Sequence, residues 1–157
     1  MSSILCYWKY RNYLYDIEQG LLARTPSFNS NQRRLHSVPD IGEKAYLVTC
    51  NERRCYLVGK IKIASKRFNP PKRMYMYGRY RIVGIPDESS FYDYGNIDVT
   101  DQVVAFIKRN LRSDKDKSAR LLHPIPRYLQ TIRELTESDA MSLENRIDAV
   151  NRHLSPL

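Results

Sequence analysis

Residues 41–63, IGEKAYLVTCNERRCYLVGKIKI, constrain the fold of this chain more than any other segment. Two apolar runs flank the turn Asn51-Glu52-Arg53-Arg54, and each alternates with the period of a strand. Ala45, Leu47 and Thr49 alternate with Tyr46, Val48 and Cys50, and Ile61 and Ile63 alternate with Lys60 and Lys62, which leaves one face wet. The pattern predicts a β-hairpin over residues 44–49 and 55–64. Immediately ahead lies SFNSNQRRL (residues 27–35), a polar, basic loop containing an aromatic. A loop able to touch a ligand, followed by a stiff hairpin, predicts a small β-barrel that binds something polyanionic.

The flanking segments predict an α+β class. Residues 4–8, ILCYW, read as a short strand. Tyr10, Leu14, Ile17 and Leu21 then share one helical face, and Gly20 suits the left-handed stop of that helix. Residues 24–40 read as an ordered loop with a helical turn near residues 31–35. Pro70 and Pro71 punctuate the basic loop 65–73, and residues 74–85 read as a strand or strand pair with a bulge at Gly78. Thr100 reads as the cap of a helix over residues 101–111 that buries Val103, Val104, Phe106 and Ile107. The charged run 112–120 predicts a linker between a barrel domain (residues 1–111) and a C-terminal helical extension (residues 121–157). In that extension Leu129, Ile132 and Leu135 stand at helical spacing. Thr136 and Asp139 resemble a capping box opening a helix that buries Leu143, Ile147 and Val150.

Charge narrows the partner. The 157 residues carry 26 Lys and Arg against 17 Asp and Glu, a net +9. Such a balance favours a nucleic acid, DNA or RNA, or another phosphate-bearing partner. Tyrosine supplies 12 of the aromatics, and its flat ring suits base stacking as well as ordinary sheet packing. No apolar run is long enough to span a bilayer and no export signal is evident, so a cytoplasmic protein without a membrane partner is expected. With three cysteines, reduced strand thiols are expected rather than a disulfide framework, although Cys50 and Cys55 can face each other across the hairpin. His36, His123 and His153 lack ligand spacing, so neither a metal nor another cofactor is predicted.

The order of motifs resembles the PUA-like superfamily, and within it the EVE domain, with the ASCH and YTH domains as relatives. Tyr7-Trp8 match the opening strand. Phe28, Asn29, Asn31, Arg33 and Arg34 occupy the polar, aromatic and basic loop. Gly42-Glu43 lead into Tyr46-Leu47-Val48, Val58-Gly59-Lys60-Ile61 match the second strand, and residues 68–71 match the Pro-containing loop. The resemblance covers about residues 3–85. Glu43 stands where the family has aspartate, Phe28 where it has tryptophan, and residues 112–157 have no counterpart. The resemblance implies a small mixed barrel with a pocket that receives a flipped or modified base. Such a base needs aromatic walls and polar groups for its pairing edge. Trp8, Phe28 and Tyr46 are the candidate walls, and Asn29, Asn31 and Gln32 the candidate readers. Arg33, Arg34, Lys66, Arg67, Lys72 and Arg73 are the candidate phosphate contacts, with Tyr75 and Tyr77 as stacking residues on one strand face. Each has a structural rival: the rings as core or sheet surface, the cations as solvated loops.

No P-loop, nuclease or nucleophile-elbow pattern appears, so a binding module without catalytic residues is expected. Two alternatives remain open. His36 and His123 could serve a small metal-independent ribonuclease of toxin type. Alternatively, the C-terminal helices could make the chain a dimerising or adaptor protein.

Overall fold

The structure, a computed structural model, describes residues 2–18, 25–110 and 126–154. The elements run β1 (Ile4–Tyr7), α1 (Tyr10–Glu18), β2 (Ser27–Ser30), α2 (Arg34–Ser37), β3 (Lys44–Asn51), β4 (Arg54–Phe68), α3 (Pro71–Tyr77) and β5 (Tyr80–Gly84). A 3-10 turn (Pro86–Glu88) follows, then β6 (Ser90–Phe91), α4 (Thr100–Asn110), α5 (Pro126–Leu129), β7 (Arg133–Glu134) and α6 (Glu137–Leu154).

The predicted hairpin is the spine of the molecule. Glu52 and Arg53 both take left-handed backbone (φ 51° and 67°), which gives the tight two-residue turn whose twist matches the strands it joins. Strand β4 continues well past the expected end. Its first half pairs antiparallel with β3, its second half with β5, and the register shifts between Ile63 and Ser65, where the strand passes from one partner to the other. The strand order is β2-β5-β4-β3-β1-β7, with β6 beside β4, and only β1 and β3 run parallel. The expected mixed α+β fold is present, but the barrel is not closed: β2 and β7 end the sheet without pairing with each other.

Side chains tie those two edges together. The Ile132 N–H donates to Gln32 Oε1 at 2.7 Å, Gln32 Nε2 donates to the Gln130 carbonyl, and Arg34 Nε donates to the Ile132 carbonyl at 2.9 Å. The β2–α2 loop is thus clamped to the backbone that leads into β7.

Alternation along the strands builds two cores. Ile4, Cys6, Ala45, Leu47, Val58, Ile61, Ile63 and Ile82 fill the concave face, closed by Trp8, Tyr13, Phe28 and Leu35. Leu5, Tyr46, Val48 and Leu57 point the other way and meet Val103, Phe106 and Ile107 of α4 and Leu143 and Ile147 of α6. Thr136 and Asp139 do form the reciprocal cap of α6: each backbone N–H donates to the other side chain at 3.1 Å. Glu144 of α6 docks on the sheet. Its carboxylate accepts from the Tyr46 hydroxyl at 2.7 Å and Lys60 at 3.1 Å, and lies 3.5 Å from Lys44. Burial pushes the Glu144 carboxyl up, but the Tyr46, Lys60 and Lys44 partners outweigh it and hold the group below the ordinary carboxylate range.

Several expectations need correction. Residues 27–30 are a strand, not loop, because they pair along β5. Residues 71–77 are a helix, not a strand: Pro71 presets the first helical turn, and Gly78 (φ 90°) ends it. Tyr75 and Tyr77 therefore do not share a strand face. Only Tyr13 of α1 is buried, while Leu14 and Ile17 are exposed. The helix expected across residues 128–135 is one turn followed by β7. Pairing with β1 sends Ile132 to the concave core and Leu135 to the opposite one. Cys50 and Cys55 are paired as a disulfide rather than reduced, since the antiparallel register sets them directly opposite, with Cα atoms 4.2 Å apart. Gly20, Leu21, His123 and the run 112–120 lie outside the described residues, as do the side chains of Arg73, Tyr75 and His153.

Candidate nucleic-acid interface

Strand register determines which candidates meet. On the β2–β5–β4 strip, Phe28, Ile82 and Lys66 form one cross-strand row, and Ser30, Tyr80 and Phe68 form the next row on the same face. Asn29, Arg81 and Arg67 form the intervening row and point to the other face. Helix α2 crosses the first of these faces. The His36 ring stands edge-on to Phe68 (5.1 Å between centroids) and to Tyr80 (5.0 Å), while its Nε2 lies 2.9 Å from the Arg81 carbonyl. That carbonyl can only accept, so Nε2 carries the proton.

The second joint is made by Asn69, which is buried. Its Nδ2 donates to Asn29 Oδ1 at 3.0 Å and to the Gly78 carbonyl at 2.8 Å, and its backbone N–H donates to the Arg79 carbonyl. Gly78 itself lies so close to β2 that a Cβ would stand 2.5 Å from the Ser30 carbonyl carbon. The loop after β2 and the basic segment after β4 are therefore one connected surface. Asn29 and Asn31 lie at this joint, Lys66 and Arg67 precede it on opposite faces of β4, Lys72 and Tyr77 follow it in α3, and Arg33 and Arg34 lie at the start of α2.

The charge on that surface is one-sided. From Arg53 to Pro86 the chain contains no Asp or Glu, yet it carries Lys66, Arg67, Lys72, Arg73, Arg79 and Arg81 within sixteen positions. Other cations are neutralised by distant elements: Lys60 and Lys44 by Glu144, Lys62 by Glu88, Arg54 by Asp98 and Arg109 by Asp139. None of the ion pairs among the described residues involves Lys66, Arg67, Lys72 or Arg79. Phosphate oxygens would meet these cations without first displacing a carboxylate.

The three expected aromatic walls do not assemble. Trp8 and Phe28 touch edge to face, 5.9 Å between centroids, and are only 8% and 7% exposed. Such a spacing is direct ring contact, with no slot for a base between them. The indole also meets Tyr13 at 5.3 Å. Tyr46 lies on the opposite face of the sheet, hydrogen-bonded to Glu144, because β3 alternation turns it toward α6. Gln32 and Arg34 spend donors on the backbone at residues 130 and 132.

Sequence reasoning passed over Phe68, Arg79, Tyr80 and Asn69 as site residues. The stretch free of carboxylates was visible in the sequence. The ring cluster was not, because it depends on β5 pairing with the unexpected second half of β4. Among the described residues no cluster of three or more His, Cys, Asp or Glu could hold a metal, and no helix is long and apolar enough to cross a membrane.

No protein-family model matches the sequence, and no curated protein matches it. Solved structures do. A hypothetical protein from Leishmania major superposes with a TM-score of 0.53 at 10% identity, over 95% of this chain and 96% of that one. The DUF55 domain of human thymocyte nuclear protein 1 gives 0.49 at 12% identity, over 92% and 98%. Human THYN1 protein in complex with DNA containing 5-methylcytosine gives 0.48 at 12% identity, over 93% and 98%. The last two scores lie below the level at which a superposition alone establishes a common fold. The fold of the chain is that of the Leishmania major protein over nearly its whole length, and at this identity the likeness extends to fold alone.

Proposed function

We propose that this chain is a nucleic-acid-binding module that acts by binding rather than by catalysis. The surface formed by the loop after β2 and the segment between β4 and β5 is the contact face. The observation that carries this reading is the set Lys66, Arg67, Lys72 and Arg79, cations without carboxylate partners among the described residues, in a stretch of chain that lacks acidic residues. Asn29, Asn31 and Arg33 border the same surface and supply amide and guanidinium donors for sugar and phosphate oxygens. The base-reading role expected for Trp8, Phe28 and Tyr46 gains no support from their arrangement: two rings close on each other and the third faces away.

The ribonuclease alternative is weaker. His36 is wedged between two rings with one nitrogen committed to a backbone carbonyl, so a single nitrogen remains for proton transfer. The test of the binding reading is fluorescence anisotropy with labelled DNA and RNA oligonucleotides, comparing the wild type with the triple variant Lys66→Ala/Arg67→Ala/Lys72→Ala. Binding by the wild type and a loss of at least tenfold in the variant support it. Equal affinity of the two proteins rejects this face as the site.

A further inference from the structure

Phe68 is the most exposed large apolar side chain among the described residues of the basic surface. It is 62% exposed at the end of β4, although β4 is central to the sheet. A phenyl ring that exposed is usually mobile surface, but this one is held. Tyr80 pairs with it across the β4–β5 ladder at 5.6 Å between centroids, and His36 meets it edge-on at 5.1 Å. The Arg79 guanidinium lies over the Phe68 ring, 5.3 Å from its centroid, and 5.8 Å from that of Tyr80, a cation–π brace. Arg79 is itself fixed through its carbonyl, which accepts from the Asn69 N–H at 2.8 Å. The ring is thus a preorganised platform, with Lys66 on its own face of β4, Arg67 on the opposite face and Lys72 in the first turn of α3.

A duplex has no use for such a platform. Its base faces are covered by their stacked neighbours, and exposing one requires unstacking and unpairing. A single strand offers base faces freely, and a ring beside backbone-tracking cations is how sequence-tolerant single-strand binding is achieved. We infer that the surface selects single-stranded nucleic acid, with Phe68 stacking on an unpaired base and Lys66, Arg67, Lys72 and Arg79 on the neighbouring phosphates. This inference rests on the binding reading above and adds the strandedness of the partner.

The experiment measures anisotropy with a labelled single-stranded 15-mer and with the blunt duplex of the same sequence, for wild type, Phe68→Ala, Phe68→Leu and Phe68→Trp. The single strand is expected to bind at least about tenfold more tightly than the duplex. Loss of one stacked base costs about 5- to 150-fold, so Phe68→Ala and Phe68→Leu should both lose single-strand affinity by a factor in that range while their duplex binding stays unchanged. Phe68→Trp should retain it. Phe68→Leu keeps apolar bulk without a π face, so its loss separates stacking from general apolar contact. If the duplex binds as tightly as the single strand, or if Phe68→Ala binds the single strand like the wild type, the inference is overturned while nucleic-acid binding stands. If neither oligonucleotide binds the wild type, both fail.

Discussion

Asn69 joins the two halves of the proposed surface, so its removal is the most informative test of how that surface is built. The side chain is 6% exposed and donates twice, at 3.0 Å to Asn29 Oδ1 and at 2.8 Å to the Gly78 carbonyl. Each hydrogen bond contributes about 1 kcal/mol net, and a buried carbonyl left without a donor costs about 1 kcal/mol or more in addition. Asn69→Ala should therefore destabilise the protein by about 3 kcal/mol, which lowers Tm by about 6–12 °C at this chain length. Asn29→Ala removes only one of the two bonds and leaves the Gly78 carbonyl satisfied, so it should cost about 1 kcal/mol. Asn69→Asp should be at least as damaging as Asn69→Ala at neutral pH, because a carboxylate would face two acceptors. Equilibrium urea unfolding gives the three values, with the denaturant slope unchanged if only the native state is affected. A cost for Asn69→Ala below about 0.5 kcal/mol, or below that of Asn29→Ala, would refute the argument that this amide joins the two segments.

Two further perturbations follow from the geometry. Glu144 titrates below its ordinary value in the folded state, so its stabilising contribution is full above the unfolded carboxylate pKa of about 4.3 and is lost as pH falls through the lower folded value. Glu144→Gln should accordingly flatten the acid side of the stability–pH profile, and a profile parallel to that of the wild type would count against the Tyr46–Lys60–Lys44 anchor. Gly78→Ala places a Cβ 2.5–2.6 Å from the Ser30 and Asn31 backbone at a φ of 90°. It should cost more than about 2 kcal/mol in urea unfolding, whereas Gly42→Ala, equally left-handed but with open space around it, should cost only about 1–2 kcal/mol.

Legibility from sequence followed the range of the interactions. The hairpin, α4 and the Thr136–Asp139 cap rest on alternation, helical spacing and a three-residue motif, all local, and they stand where the sequence places them. Strand β2 was hidden because SFNS lacks a run of branched or aromatic residues and becomes a strand only by pairing with β5. The helical turn at Pro71 was hidden by Tyr75 and Tyr77, whose strand-like alternation lost to the proline at the first turn. The side of the sheet that a ring faces is likewise nonlocal. Tyr46 and Trp8 look equivalent as aromatic strand residues, yet β3 sends one toward α6 while β1 ends just before the other. The phosphate-contact candidates around residues 66–72 were legible because charge needs no register to be noticed. The platform they surround needed the β4–β5 ladder.

The central claim is that unneutralised cations around the β4–β5 segment bind the phosphates of a nucleic acid. The most direct measurement is the affinity of the wild type for a labelled oligonucleotide across a series of salt concentrations. With Lys66, Arg67, Lys72 and Arg79 each meeting one phosphate, log K should fall linearly against log salt with a slope of about −3 for a single strand. The triple variant Lys66→Ala/Arg67→Ala/Lys72→Ala should reduce that slope to about −1. Affinity that does not change with salt, or a slope that survives the substitutions intact, would contradict the account.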